Sequence, residues 1–468
     1  MLLLTLALSC AKTDPTDSAQ TDTQVEAIDW SAQQIWLTET VRDRAFRRAI
    51  MHLHSPYSHD ACDGDGLPDG AVNEPCLDDL RYGLCASAID LAFITDHPSH
   101  AAEFEFIDWL LQRGDDVAIQ SDGGIGLAHA NTIDCGEYGS DGTVTYMVGV
   151  EDELMPLSLE QHLPGTVEER DALYNQEDAA TIAALREAGG AVMLAHTESR
   201  DLAQVEAQLA AGLTGFEMFN LHAMFAPDIR EDYLGIDGIA WIAETAPFLD
   251  ADNEELVPDL AFLAVYQQQD VTIGKWDAMN AAGIAAVGIA GTDAHQNVLP
   301  TAASDGERFD SYRRMTRWFS NWLLVDATGT GGADATPSPD NAQAALEAGR
   351  VFTVFEALGT PQGLDVHLDA GGTIYEIGSD APAGTLNVAC PTLHPESPRG
   401  AESPTIRAEV LRDGALFAEG CGAHEVSEPG AYRVVFHIDP THLTGFLDEL
   451  THLARELPWI YSNPIRVR

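Results

Sequence analysis

Residues 47–60 read RRAIMHLHSPYSHD. An apolar, strand-like run ends on His52 and His54, two positions apart. Side chains at i and i+2 of a strand share a face, so both imidazoles are expected to point the same way. The pattern returns along the chain. IDLAFIT (89–95) leads to Asp96-His97, TVTYMVGV (143–150) to Glu151, AVMLA (191–195) to His196, and IAAVGIAGT (284–292) to Asp293-Ala294-His295. Metal sites need lone-pair donors converging from distant parts of a chain, and a closed ring of parallel strands delivers them at its C-terminal ends. Imidazole and carboxylate donors without clustered thiolates suit Zn, Mn or Fe rather than a structural zinc knot. The reading is an enzyme with a polynuclear metal centre.

Between these runs lie helical patterns: Glu177–Ala188 (EDAATIAALREA), Leu202–Ala211 and Leu256–Gln268. Strands alternating with helices predict an α/β fold with a parallel sheet. Convergent ligands favour a closed sheet over an open one. The Gly- and Pro-containing stretch 328–339 (TGTGGADATPSP) reads as a loop, followed by one more helix and strand in NAQAALEAGRVFTVFEA. From about Gly359 the character changes to short alternating segments, among them LDVHLDA, IRAEVLRDG, YRVVFHI and WIYSNPIRV, bounded by Gly, Pro and Asp. That spacing suggests a small C-terminal β-sandwich. The expected domains are a lipoprotein-type signal peptide over 1–10, a polar tether over 11–29, a metal-binding barrel over 30–357 and the β-sandwich over 358–468.

With 468 residues, 45% of them hydrophobic, the chain can bury a large core. Its formal net charge of -51 repels nucleic acid and anionic membrane surfaces. No nucleic-acid partner is expected, and the field favours divalent cations. The N-terminus, MLLLTLALSC, is too short an apolar run to span a bilayer. Ala7-Leu8-Ser9-Cys10 resembles a bacterial lipoprotein signal, although no basic residue precedes it. This predicts an exported protein whose membrane contact is an N-terminal lipid anchor on Cys10, on the periplasmic or surface side; a plain cleaved signal is the other reading. There are seven cysteines. Setting Cys10 aside leaves an even number, which outside the cytoplasm suggests disulfides. Cys390 and Cys421 pair most simply with each other. Cys62, Cys76, Cys85 and Cys135 allow alternative pairings, of which proximity favours Cys62–Cys76 and Cys85–Cys135.

As an ordered set, HLHSPYSHD, TDH, GVE, a later His, LAHT and TDAH resemble the PHP (polymerase and histidinol phosphatase) superfamily over roughly residues 48–357. The resemblance implies a distorted (β/α)7 barrel holding two or three divalent metals, mostly Zn, Mn or Fe. It carries His52 and His54 over as ligands of a first metal, and His59 to a position usually Asp or His. His97 follows, then Glu151 as a bridge, His162 after the Glu motif, His196 at the next strand end, and Asp293 with His295 as the closing pair. His162 sits in LEQHLPG, which reads as a loop. The tail, LEAGRVFTV with a later NPIRV, is similar to an exported branch that includes carbaryl-hydrolase-type metallohydrolases.

Two divalent ions about 3.5–4 Å apart lower the pKa of a shared water, so a metal-activated hydroxide is the expected nucleophile. Arg200, four residues after His196, is a candidate for holding a substrate's negative oxygens. CDGDGLPDG (62–70) partly resembles an acidic calcium loop, with Asp63, Asp65 and Asp69 as candidate Ca²⁺ ligands. Glu217 and Asn220 in GFEMFN are expected to line the pocket rather than ligate. The favoured activity is hydrolysis of a small-molecule phosphoester. Hydrolysis of a carbamate, ester or amide by the same metals is the nearest alternative, and a non-catalytic, metal-stabilised binding protein is an alternative of another class.

Overall fold

The computed structural model describes residues 30, 33–120, 128–327, 337–400 and 402–468. The signal, the tether and Cys10 lie outside the described residues, as do residues 328–336 of the expected loop.

The chain folds as a mixed α/β structure with a strand-rich C-terminal region. Strand β1 (Arg44–Leu53) lies parallel to β2 (Leu91–Asp96), and β2 parallel to β3 (Thr143–Val150). A second sheet holds β4 (Leu154–Leu157), β5 (Ala191–Leu194), β6 (Gly215–Asn220) and β7 (Val287–Gly291), with β5, β6 and β7 mutually parallel. β4 runs antiparallel to β5, so the arrangement is mixed rather than a uniform strand–helix alternation. The two sheets meet at two seams. Leu53 bridges to Ala294 just beyond β7, and the Leu159 amide donates to the Val148 carbonyl at 2.8 Å.

Side-chain alternation explains why these strands bury both faces. Ala49, Met51, Phe93, Met147, Met193 and Ile289 pack into one cluster between the strands. Their sequence neighbours Ile50, Ala92, Ile94, Val148 and Leu194 face the other way, into the main core. Each Met, Phe, Ile, Leu or Val side chain among them contributes about 1.5–3 kcal/mol on burial. Arg48 lies fully buried in β1, where its Nε donates to Glu356 at 2.7 Å and its Nη1 to the carbonyls of Ile35 and Ala88.

Helix α1 (Glu74–Ala86) is capped by Asn73, and α2 (Ala179–Glu187) by Asp178. α3 (Leu202–Ala210) forms where expected. The helix expected over 256–268 does not. A 3₁₀ turn at Pro258–Ala261 runs into one short turn at Phe262–Val265, and α4 starts later, at Asp270. Tertiary contacts override the helical pattern there. Asp259 is clamped by Arg313 and Arg314 of α5 (Tyr312–Trp318), and its carbonyl accepts from Trp318.

The C-terminal strands extend the first sheet. β8 (Ser320–Asp326) pairs with β1, β9 (Val351–Val354) with β8, and β11 (Leu457–Ser462) joins β9 to β10 (Gly430–Asp439). A separate four-stranded antiparallel sheet includes Asp365–Ala370 and Gly384–Ala389. Disulfides join Cys62 to Cys76, Cys85 to Cys135 and Cys390 to Cys421, all as expected. No helix among the described residues is long and apolar enough to cross a membrane.

Candidate metal centre

His52 ends β1 at a β-bulge, where the register to β2 shifts between Met51 and Leu53. Its backbone is left-handed, with φ 58°. Up to Met51 the odd positions face the inner cluster; the bulge reverses that parity, so His52 and His54 turn into the pocket. His196 after β5 and Asp293 after β7 share the left-handed conformation, with φ 47° and 51°. Non-glycine residues there cost roughly 1–2 kcal/mol each. Such strain persists at sites where the surrounding structure over-determines it.

The donors fall into overlapping groups whose ligand atoms lie within 4.8 Å of one another: His52, His196 and Asp293; His54, Asp60, His97 and His295; and His52, His54 and Glu151. Asp293 Oδ1 stands 3.2 Å from His52 Nε2 and 3.3 Å from His54 Nε2, while its Oδ2 is 3.5 Å from His196 Nε2. Glu151 reaches both sides, with Oε1 3.3 Å from His196 Nε2 and Oε2 2.9 Å from His97 Nδ1. Asp60 Oδ2 lies 3.4 Å from His295 Nε2 and 3.7 Å from His97 Nε2.

Each ring is held from behind. His52 Nδ1 meets Glu217 Oε1 at 2.6 Å, His54 Nδ1 meets Ser58 Oγ at 3.0 Å, and His295 Nδ1 meets the Asp293 carbonyl at 3.0 Å. The second oxygen of Glu217 accepts from the His196 amide and from Asn220. Among the described residues, the Nε2 atoms of His52, His54 and His295 and Oε2 of Glu151 are buried and have no hydrogen-bond partner. Leaving buried polar atoms unpaired costs about 1–3 kcal/mol each. Imidazoles fixed through one nitrogen and open at the other, facing carboxylates, fit a divalent cation once it displaces any proton on the open nitrogen. The donor set fits the metals implied by the sequence.

Electrostatics agree. Burial opposes charge on His52, but Asp293 and Glu217 outweigh it and hold the ring well above its ordinary range. His97 is pushed up to about 11 and His196 to about 9, again against burial, chiefly by Asp60 and Glu151 for the first and by Glu151 and Asp293 for the second. Burial and the neighbouring His295 press His54 down. Asp60, Glu151 and Asp293 are all lowered, because the surrounding histidines overcome the burial penalty. Three carboxylates crowded among imidazoles form a cation-attracting cluster.

Of the residues singled out in the sequence, His52, His54, His97, Glu151, His196, Asp293 and His295 come together. His59 does not. Its ring is exposed beside His97 and His100, and the next residue, Asp60, turns inward in its place. His162 also lies elsewhere. Its nitrogens are taken by the Tyr174 hydroxyl and the Phe104 carbonyl, each at 3.0 Å, and its ring stacks on Trp109. It is a packing residue of the loop. Asp63, Asp65 and Asp69 form no ligand group among the described residues. Asp63 accepts both Arg308 contacts, at 2.9 and 3.0 Å, so a guanidinium supplies the positive charge expected of calcium. Glu217 and Asn220 back the ligands rather than line the cavity. His222, missed in the sequence, places Nδ1 3.4 Å from Asp293 Oδ2 at the partly exposed mouth; its signal was its place just after the GFEMFN strand.

A cavity of about 450 Å³ opens beside the cluster, lined by Glu151, His196, Asp152, Glu153, Asp201 and Arg200 among others. Arg200 is ion-paired with Glu153 and, at 2.6 Å, with Glu177.

No family model matches the sequence, and no curated protein matches it. Among solved structures, the chain is similar to a two-domain protein of Bacteroides vulgatus containing a predicted PHP-like metal-dependent phosphoesterase. The two are 10% identical with a TM-score of 0.37, over 93% of this chain and 99% of that one.

Proposed function

We propose that this chain is a metal-dependent hydrolase of the PHP type, acting on a small-molecule phosphoester. The observation that carries the reading is the set of buried, unpartnered donor atoms of His52, His54, His295 and Glu151 converging on one pocket. His52, His196 and Asp293 would hold one ion. His54, Asp60, His97 and His295 would hold another, with Glu151 between them. Bound divalent ions supply Lewis acidity and make water nucleophilic near neutral pH. The chain does the rest. Glu217 and Ser58 fix the tautomers of His52 and His54, and Asp96 braces the first loop by accepting from Ser55 and Trp109. His222, at the mouth, faces Asp293 and would be a further imidazole within reach of the first ion or its substrate. The two-sheet ring with its two seams supports a distorted (β/α)7 barrel over 30–357, followed by a β domain over 358–468. Export with a lipid anchor on Cys10 completes the proposal, supported by the sequence and by disulfides at the expected pairs.

One observation favours acyl or carbamate hydrolysis instead. The cavity is acidic, and its arginine is already engaged by two carboxylates. A neutral substrate meets less repulsion there. Chromogenic phosphate and acyl esters, offered to the metal-reconstituted protein, decide between them. Metal-dependent phosphate release that disappears in His52→Ala is expected. Turnover of acyl esters alone would transfer the site to the second reading, and no turnover by fully loaded protein would leave a binding protein.

A further inference from the structure

The carboxylate that completes the second ligand group sits at the start of a strained, cross-linked insert. Asp60 is that group's carboxylate, and it lies two residues before Cys62. Cys62 and Asp63 are both left-handed, with φ 57° and 58°, a conformation non-glycine side chains disfavour. Their amides donate to the carbonyls of His295 at 2.9 Å and Gln296 at 3.0 Å. The strained turn is thus hydrogen-bonded to the backbone that carries another ligand of the same group. The other half of the disulfide, Cys76, lies in the first turn of α1, where Asn73 caps its amide at 3.2 Å. α1 is itself tied down by Cys85–Cys135 and packed against α5. Cys62 and Cys76 are both buried. His52, His196 and Asp293 take no hydrogen bond from the insert: Glu217 and Asn220 brace the side chains of the first two and the amide of His196.

We infer that the Cys62–Cys76 disulfide is a positioning element for one metal only: it holds Asp60 and the His295 backbone in place, so opening it releases the ion of the His54–Asp60–His97–His295 group and spares the other. The inference rests on the metal-centre reading given above. It links occupancy of half the site to the thiol–disulfide state of the surroundings. Opening by a water-soluble phosphine leaves two thiols. The phosphine is oxidised to its oxide with the oxygen of one water, whose two hydrogens go to the sulfurs.

The test is a Zn²⁺ titration against a competing chelator on the full chain, in the disulfide-intact protein, in Cys62→Ala/Cys76→Ala and in the control Cys390→Ala/Cys421→Ala. The first pair of substitutions should weaken one ion at least ten-fold, and the control should match the intact protein. Asp60→Ala should weaken that same ion with all disulfides intact. Where the double variant does not fold, the intact protein is treated with phosphine and the opened bond is identified by alkylation and peptide mapping; one ion should leave as Cys62–Cys76 opens. Unchanged binding of both ions after that bond opens overturns the inference, and so does equal loss in the control. An intact protein binding fewer than two ions instead overturns the metal-centre reading itself.

Discussion

The two ligand groups share Glu151 and a single pocket, yet they are built differently. His52, His196 and Asp293 stand where β1, β5 and β7 end, all three on left-handed backbone, with the rings of His52 and His196 backed by Glu217 or Asn220. His54 and His97 come one residue after β1 and β2, whereas Asp60 and His295 lie further out on the loops, and Asp60 depends on a cross-linked insert. The first group is a product of the sheet, whose packed strands can support local strain. The second takes Asp60 and His295 from loops, which need hydrogen bonds and a covalent tie to reach comparable order. Robust and adjustable metal positions can therefore sit side by side in one pocket.

The largest effect expected is from Asp293→Ala. Its carboxylate faces His52, His54 and His196, so the first group loses a member and His54 of the second loses a carboxylate neighbour. Loss of several kcal/mol of charge stabilisation corresponds to a fall of about 10³-fold or more in kcat/KM. Metal analysis of the folded variant should show loss of the first ion; retention of both ions would break the placing of Asp293 in that group.

Glu217→Gln sharpens the contrast. It keeps the shape but weakens the carboxylate brace behind His52, which should cost roughly 10–100-fold in affinity for the first ion. The second ion should bind as before, because no residue of its group touches Glu217. Equal weakening of the two, read by chelator competition, would merge the groups.

Proton release distinguishes the groups by pH. In the metal-free chain His97 sits at about 11 and His196 at about 9, both above the ordinary 6.5, because carboxylates outweigh burial. A raised folded-state value stabilises the metal-free protein fully below about 6.5. That contribution is lost as pH rises through about 9 for His196 and about 11 for His97. Metal must displace these protons, so loading near pH 7.5 should release protons and apparent affinity should rise with pH. Calorimetry in buffers of different ionisation enthalpy reads the number released; none released would mean the rings are neutral before metal arrives.

The smallest effect belongs to His162→Phe. With its nitrogens bonded to Tyr174 and Phe104, it should cost about 1–3 kcal/mol of stability and leave metal content unchanged. A lost metal equivalent would restore His162 to the site.

What the sequence made legible follows the same division. Strand-end histidines and carboxylates announced themselves through the apolar runs that precede them, and the α/β alternation was readable for the same reason. Loop residues carried no such period. In YSHD, His59 and Asp60 are both plausible ligands, and only the turn toward Cys62 decides that Asp60 faces inward. His162 looked like a ligand because a Tyr twelve residues later, its actual partner, leaves no local mark. Asp63 looked like calcium chemistry because Arg308 lies far away in sequence. The left-handed backbone at His52, His196 and Asp293 had no signal at all, since no glycine marks it. The helix expected over 256–268 failed because Arg313 and Arg314 pin Asp259 from a distant helix.

One pocket is proposed to hold two metal positions of different construction. Elemental analysis of the full chain, purified without chelator, tests it most directly. At least two divalent transition-metal ions per chain are expected, one of them released selectively when Cys62–Cys76 is opened. One ion or none in the intact, folded protein would contradict it.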